Sequence, residues 1–268
     1  MPSDETAIHL WCGDATDLGW LPPESVHLVV TSPPYPMIPQ WDAVFASQGA
    51  SEFEAMHAVL DRAWAQCVRL LVPGGILVVN IGDAVRSLNG AFRLWPNHAR
   101  VLEGAARLGL RPLPYALWKK PLNKPNAFLG SGFLPPNAYV TLDCEFLLIF
   151  RKGDLRRFPP HDTRRSLSRF TRAERDRWFS QIWTDVQGSR QSGPDGRTGA
   201  FPPEIPRRLV RMFSVVGDTV LDPFAGTATT LWVAADLGRR SWGVERDPTV
   251  HRRSVERGRA LGYRVATE

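Results

Sequence analysis

Five consecutive residues, Thr31-Ser32-Pro33-Pro34-Tyr35, follow directly on the apolar run Val26 to Val30. Two successive prolines fix φ and remove two N–H donors, so carbonyl oxygens at the turn can face a cleft without a competing donor beside them. Ser32 adds a hydroxyl that can accept a hydrogen bond, and Tyr35 adds a ring for stacking. A second constellation lies far along the chain. Val220-Leu221-Asp222-Pro223-Phe224-Ala225-Gly226-Thr227-Ala228-Thr229-Thr230 reads as strand, loop and helix start. Its small residues let a ligand approach the backbone closely. The helix N-terminus offers free N–H groups and a partial positive charge, suited to a carboxylate or phosphate. Glu245 closes the next strand, Trp242-Gly243-Val244-Glu245. That is where a carboxylate receives ribose hydroxyls in nucleotide-binding βαβ units.

Gly226 alone fits an ordinary tight turn; loop, helix and terminal carboxylate together favour a nucleoside. A dinucleotide fingerprint needs three glycines in G-x-G-x-x-G, and a phosphate-binding P-loop needs Gly-Lys-Ser/Thr. Neither pattern is present, so neither NAD nor ATP is the leading cofactor.

The elements that must hold these groups follow from periodicity and punctuation. Ile8 to Cys12 and Val26 to Val30 read as strands, the second apolar enough to be buried on both faces. Ser51 to Leu71 has helical spacing, with Phe53, Met56, Val59, Leu60, Ala63, Trp64, Cys67 and Leu70 on one side, and Pro73-Gly74-Gly75 is expected to end it. Ile76 to Ile81 is a buried strand, Asn97 to Leu108 a helix, Leu113 to Trp118 a strand, Asn123 to Pro136 a loop, and Cys144 to Arg151 a strand. Gln187 to Thr198 reads as a linker. Helix 203–213, strand 220–222, helix 227–237, strand 241–245 and helix 248–261 complete the chain. Strands alternating with helices predict a mostly parallel, doubly wound α/β sheet, which binds ligands beyond the carboxyl ends of its strands. If the N-terminal strands complete this sheet, the loops after Val30 and at Gly226 open at the same edge.

With 268 residues and 43% hydrophobic content, the chain has material for one large α/β domain with an insertion. No apolar run reaches the ~18 residues of a membrane span. Met1 to Glu5 show no secretory signal, and three widely spaced cysteines match neither a disulfide framework nor a zinc site. A cytoplasmic protein without a metal is expected. Between Arg151 and Trp178, ten basic residues face four acidic ones, a surplus equal to the whole chain's net charge of +6. A local basic block suits a polyanion, although a solvated surface insertion accounts for it equally well.

Taken together, Thr31-Ser32-Pro33-Pro34-Tyr35 and Asp222-Pro223-Phe224-Ala225-Gly226 resemble the amino-methyltransferases of bacterial restriction–modification systems. The order, tetrapeptide before cofactor loop, resembles their β (permuted) group. The likeness spans nearly the whole chain: Gly13-Asp14, Leu71 to Gly75, Trp118 to Pro121, Glu145 to Lys152 and Phe201 to Ile205 all look like that family. It departs at Ala228, where a second Gly is usual, and at Thr198-Gly199-Ala200, where a His is common.

The resemblance implies a Rossmann-like, circularly permuted methyltransferase fold, with S-adenosyl-L-methionine as cofactor and double-stranded DNA as substrate. It implies a catalytic corner of Ser32, Pro33, Pro34 and Tyr35, in which the Ser32 side chain and Pro33 carbonyl grip the amino hydrogens of a flipped base. The cofactor would lie against Asp14, Phe201, Pro202, Asp222, Phe224, Ala225, Gly226, Thr227, Glu245 and Arg246. The catalytic domain would be 1–152 with 199–268, and 153–198 an inserted target-recognition region whose Arg156, Arg157, Arg164, Arg165, Arg169 and Arg172 contact DNA. Serine at the first motif position favours cytosine N4, with adenine N6 and a non-catalytic DNA-binding homologue as alternatives. An enzyme acting on RNA or a small molecule is a further one. A cognate restriction endonuclease, a homodimer and a bacterial or archaeal cytoplasm complete the expectations. Methylation at cytosine C5 is disfavoured, because it needs a Cys following Pro, and Cys12, Cys67 and Cys144 follow Trp11, Gln66 and Asp143.

Overall fold

The computed structural model describes residues 8–120, 129–130, 134–188 and 201–267. In chain order its elements are β1 (Ile8–Cys12), β2 (Val26–Thr31), a 3-10 turn (Pro39–Trp41), α1 (Asp42–Ala46), α2 (Phe53–Leu70), β3 (Leu71–Ile81), β4 (Ala84–Leu88) and β5 (Ala91–Trp95). Then come α3 (Asn97–Arg107), β6 (Leu110–Lys119), β7 (Leu129–Gly130), β8 (Ala138–Tyr139), β9 (Cys144–Lys152), α4 (Arg164–Leu167), α5 (Arg172–Trp178) and β10 (Ile182–Trp183). The last are α6 (Glu204–Phe213), β11 (Thr219–Asp222), α7 (Thr229–Asp236), β12 (Arg240–Glu245), α8 (Pro248–Ala260) and β13 (Val265–Ala266).

Among these residues a nine-stranded sheet runs in the order β10-β6-β9-β3-β2-β11-β12-β1-β13. All its pairings are parallel except those of β9, which runs against β3 and β6. This is the mostly parallel α/β sheet predicted. It also fixes a top edge, formed by the carboxyl ends of eight strands and the amino end of β9.

The sheet's two faces explain the buried strands. Val29, Leu77, Val79, Leu148 and Leu221 belong to one apolar cluster with Met56, Leu60, Trp64 and Cys67 of α2 and Val101 of α3. Leu28, Val30, Val78, Leu147 and Val220 belong to another with Ile205, Leu209 and Val210 of α6 and Ala234 of α7. Helices therefore cover both faces, and central strands read as unbroken hydrophobic runs. Trp64 has no exposed surface, and truncating such a side chain to Ala costs about 3–5 kcal/mol.

One expectation needs correction, and two features add to the reading. Pro73-Gly74-Gly75 does not end α2. The helix stops at Leu70, Leu71 already pairs with Val26, and the register jumps before Ile76 pairs with Leu28. The three residues form a bulge inside β3, and Gly74 is required there: φ is +80° and an added Cβ would lie 2.5 Å from the Arg156 backbone nitrogen. Second, residues 84–95 form a hairpin, β4–β5, turned by Asn89 and Gly90 at φ 52° and 77°. Third, part of the 153–198 segment packs onto the main sheet. β10 joins the main sheet beside β6, and Trp183 and Val186 are buried in the α6-side core. The expected loop 123–136 lies largely, and the linker 187–198 almost wholly, outside the described residues. No described helix is long and apolar enough to cross a membrane.

Candidate functional site

β2 and β11 are neighbours, with Leu28 opposite Val220 and Val29 opposite Leu221. Sequence order departs in opposite directions from this pair, toward β3 on one side and β12 on the other, which opens a crevice above it. The two corners are stitched together there. Thr31 Oγ1 donates to Asp222 Oδ1 at 2.6 Å, the Phe224 N–H donates to the same oxygen at 3.1 Å, and Thr230 Oγ1 donates to the Val30 carbonyl at 3.4 Å. Residues about 190 positions apart in the chain thus share one edge, as the order of parts predicts. Burial pushes the Asp222 carboxyl up to about 6, against the pull of the hydrogen bonds it accepts, chiefly that from Thr31.

On the β12 side, Glu245 is held by backbone. The Gly226 N–H donates to its Oε2 and the Asp247 N–H to its Oε1, each at 2.8 Å. Burial raises the Glu245 pKa and these bonds oppose the rise. A carboxylate has four lone pairs, so this one keeps capacity for a ligand hydroxyl. Gly226 has φ +50° and only the Phe224 carbonyl within 4 Å of where a Cβ would stand, so the loop is open to a close ligand. Asp14, just past the end of β1, lies beside this group: β1 pairs with β12, Gly13 N–H donates to the Glu245 carbonyl, and Asp14 Oδ2 is 3.4 Å from Arg246 Nε. Asp14 Oδ1 is occupied by the Thr16 N–H and hydroxyl, each at 2.8 Å. The expected cofactor residues Asp14, Asp222, Phe224, Ala225, Gly226, Thr227, Glu245 and Arg246 are therefore gathered at adjoining strand ends. Phe201 and Pro202 are buried at the head of α6, and Phe201 belongs to the cluster of Leu28, Val30 and Ile205.

On the β2 side, the Ser32 corner carries a hydrogen-bond network that the sequence did not announce. Ser32 Oγ and Tyr35 OH are 3.1 Å apart, and Tyr35 OH donates to Glu145 Oε2 at 3.0 Å. Asn80 Nδ2 reaches both Tyr35 OH, at 2.8 Å, and Glu145 Oε2, at 2.7 Å, while Lys120 pairs with Glu145 Oε1. Asn80 and Glu145 are buried, at 2% and 6% exposure. Burial and the Glu145 charge push the Tyr35 hydroxyl well above its ordinary range, so it stays protonated. Behind the corner, Asn97 donates to the Pro36 and Gly82 carbonyls at 3.0 Å each and shares a 3.0 Å hydrogen bond with His57. One signal pointed this way: Glu145 is a lone acid ahead of five apolar residues, Phe146 to Phe150. Charged residues are buried only when paired.

Part of the basic segment is turned onto the chain's own carboxylates. Asp218 immediately precedes β11, so it sits at the sheet edge opposite the two corners. Arg156 grips it through two hydrogen bonds of 2.5 and 2.7 Å, and Asp218 has a fully buried side chain. Arg164 holds Asp162 and comes within 4.0 Å of Asp218. Arg165, like Arg156, lies over the Phe158 ring. The Arg169 carbonyl accepts from Arg211 of α6. Arg156 and Arg164 are thus committed to carboxylates of this chain, because a buried Asp218 demands a counter-charge. Arg157, Arg165, Arg169 and Arg172 remain exposed, and the Arg172 side chain, at 89% exposure, is 3.6 Å from Asp176.

The model of a family described as DNA methylase matches residues 26–256. The type II methyltransferase M.MjaI of Methanocaldococcus jannaschii is 52% identical over 276 residues, covering 93% of this chain and 91% of that protein. The type II methyltransferase M.MthZI of Methanothermobacter thermautotrophicus is 40% identical, covering 91% of this chain and 74% of its own length. Among solved structures, TTHA0409 of Thermus thermophilus, named as a DNA modification methylase and complexed with S-adenosyl-L-methionine, superimposes with a TM-score of 0.79. It is 38% identical, and the match covers 98% of this chain and all of that one.

Proposed function

Since the chain belongs to the DNA methylase family, we propose that it methylates the N4 amino group of cytosine within a specific sequence of double-stranded DNA, using S-adenosyl-L-methionine. The observation that carries this reading is the Thr31–Asp222 hydrogen bond of 2.6 Å, which makes the serine corner and the nucleoside loop two walls of one crevice. When bound, S-adenosyl-L-methionine supplies an electrophilic methyl group on a sulfonium centre. Glu245 would receive its ribose hydroxyls, for which the free lone pairs of a backbone-fixed carboxylate are suited. The Phe224 to Thr227 loop would lie along it, and Asp14 beside its adenine.

The amino nitrogen of cytosine is a poor nucleophile, because its lone pair is delocalised into the ring. Ser32 Oγ and the Pro33 carbonyl would accept its two hydrogens, which favours localisation of the lone pair toward the methyl group. As the nitrogen takes the methyl group, the S–C bond would break with its electron pair left on sulfur as a thioether, and the surplus proton on nitrogen would pass to water. The base must leave the duplex, at a cost of a few kcal/mol, offset by stacking on Tyr35 worth ~1–3 kcal/mol. Positioning and hydrogen-bonded stabilisation of developing charge would supply most of the acceleration. Serine at position 32, where adenine enzymes of this type usually carry Asp, favours cytosine. The type II relatives favour a restriction–modification setting.

The test is methyl transfer in vitro from labelled S-adenosyl-L-methionine to DNA, followed by nucleoside analysis. N4-methylcytosine is expected as the labelled product. N6-methyladenine as the sole product would overturn the choice of base, and no label in DNA would overturn the activity.

A further inference from the structure

We infer that Glu145 and Asn80 are positioning residues that act through the Tyr35 hydroxyl to fix Ser32 as a pure hydrogen-bond acceptor toward the amino group of the target base; this rests on the methyl-transfer reading above.

Donors and acceptors can be counted through the network. A phenol oxygen has one hydrogen and two lone pairs. The hydrogen of Tyr35 goes to Glu145 Oε2, a carboxylate oxygen that offers no hydrogen in return. One lone pair of Tyr35 receives Asn80 Nδ2 at 2.8 Å. The remaining contact, Ser32 Oγ at 3.1 Å, is therefore satisfied only if Ser32 donates. Its single hydrogen is consumed inward, and both of its lone pairs are left for a ligand. A serine free to rotate would present its hydrogen or its lone pairs to the incoming group; this one presents lone pairs. An amine that must have its N–H bonds gripped needs that orientation.

The direction of every bond in the chain is set at its far end. Asn80 Nδ2 spends its two hydrogens on Tyr35 OH and on Glu145 Oε2, so the amide faces two oxygens and its orientation follows. Lys120 pairs with the other Glu145 oxygen. The fold supplies this arrangement through the one reversed strand. β9 runs against β3, with Phe146 opposite Ile81, so its first residues reach the edge where parallel β2 and β3 end. Gly82 leaves the space: an added Cβ would stand 3.3 Å from the Tyr35 ring and 3.4 Å from Glu145 Cγ.

Tyr35 thus has two separable roles. As a ring it stacks; as a hydroxyl it works only through Ser32. Tyr35→Phe keeps the ring and removes the hydroxyl. In the methyl-transfer assay we expect its kcat to fall roughly tenfold to a hundredfold, in the range of a lost oriented polar group. KM for DNA and the affinity for S-adenosyl-L-methionine, measured by calorimetry, should stay within about threefold, which also reports an intact fold. Glu145→Leu, which leaves the Tyr35 hydrogen without its acceptor, should lower kcat likewise. The decisive comparison is a double-mutant cycle: in a Ser32→Ala background, Tyr35→Phe should cause no further loss. If Tyr35→Phe has full activity, or if its loss multiplies with that of Ser32→Ala, the inference falls while the methyl-transfer reading stands. If the parent chain transfers no methyl group to DNA, both fall.

Discussion

Asp222 stands between the two corners, and its titration is where burial and function meet. Its carboxyl is pushed up to about 6 from an ordinary 3.8. The folded state therefore holds the Asp222 proton more tightly than the unfolded chain does. The stability this contributes is fully present below about pH 4 and is lost as the pH rises through 6. Asp222→Asn removes the titration. The stability of the parent chain minus that of the variant should fall by about 2 kcal/mol between pH 4 and 6.5 and then level off. A difference flat across that window, by thermal or denaturant unfolding, would refute the account of this residue. Ala228 is the other informative single residue. It is a non-glycine in the left-handed region, with φ 59°, at the cap of α7. Left-handed backbone costs Ala ~1–2 kcal/mol. Its methyl is fully buried with Ala225, Leu231 and Trp232, which returns ~0.8 kcal/mol. A Gly would also lose more freedom on folding, so the departure from the family's glycine is nearly balanced. The residues of the Ser32 corner and the Glu245 loop were legible because each is contiguous and follows an apolar strand. Asn80 and Glu145 were not, since their pairing spans 65 positions and depends on a strand direction that no local pattern encodes.

Among the elements, β1, α2, α3 and β9 were readable to within two residues, whereas β3 and β6 begin five and three residues before their expected starts. What escaped was short or locally ambiguous. β10 has only two residues and exists because Trp183 must be buried. The β4–β5 hairpin turns at Asn89-Gly90, with positive φ at both positions, but its strands carry little apolar alternation and β5 is largely exposed. Charge counting did not reveal that part of the basic surplus pairs with a buried carboxylate, Asp218. Arg156→Ala should leave Asp218 short of its counter-charge and destabilise the fold by about 3 kcal/mol. Affinity for DNA and its salt dependence should change little. A steep loss of DNA affinity with unchanged unfolding would instead assign Arg156 to the DNA surface.

At the scale of the whole molecule, a chain that starts with the serine corner and finishes with the nucleoside loop closes into one sheet because β1 and β2 flank the β11–β12 pair. The doubly wound class and the shared edge followed from the alternation of strands and helices and from the order of parts. The wrapping of residues 153–188 from the lower edge along the α6 side did not, because surface segments are placed by a few ion pairs and aromatic contacts that leave no period in the sequence. The most direct measurement is a crystal structure of the protein with S-adenosyl-L-homocysteine bound. It should show the ribose hydroxyls on Glu245 and the sulfur turned across the gap toward Ser32 Oγ. A nucleoside bound elsewhere, or a sulfur directed away from the β2 corner, would contradict the claim that these two corners work on one methyl group.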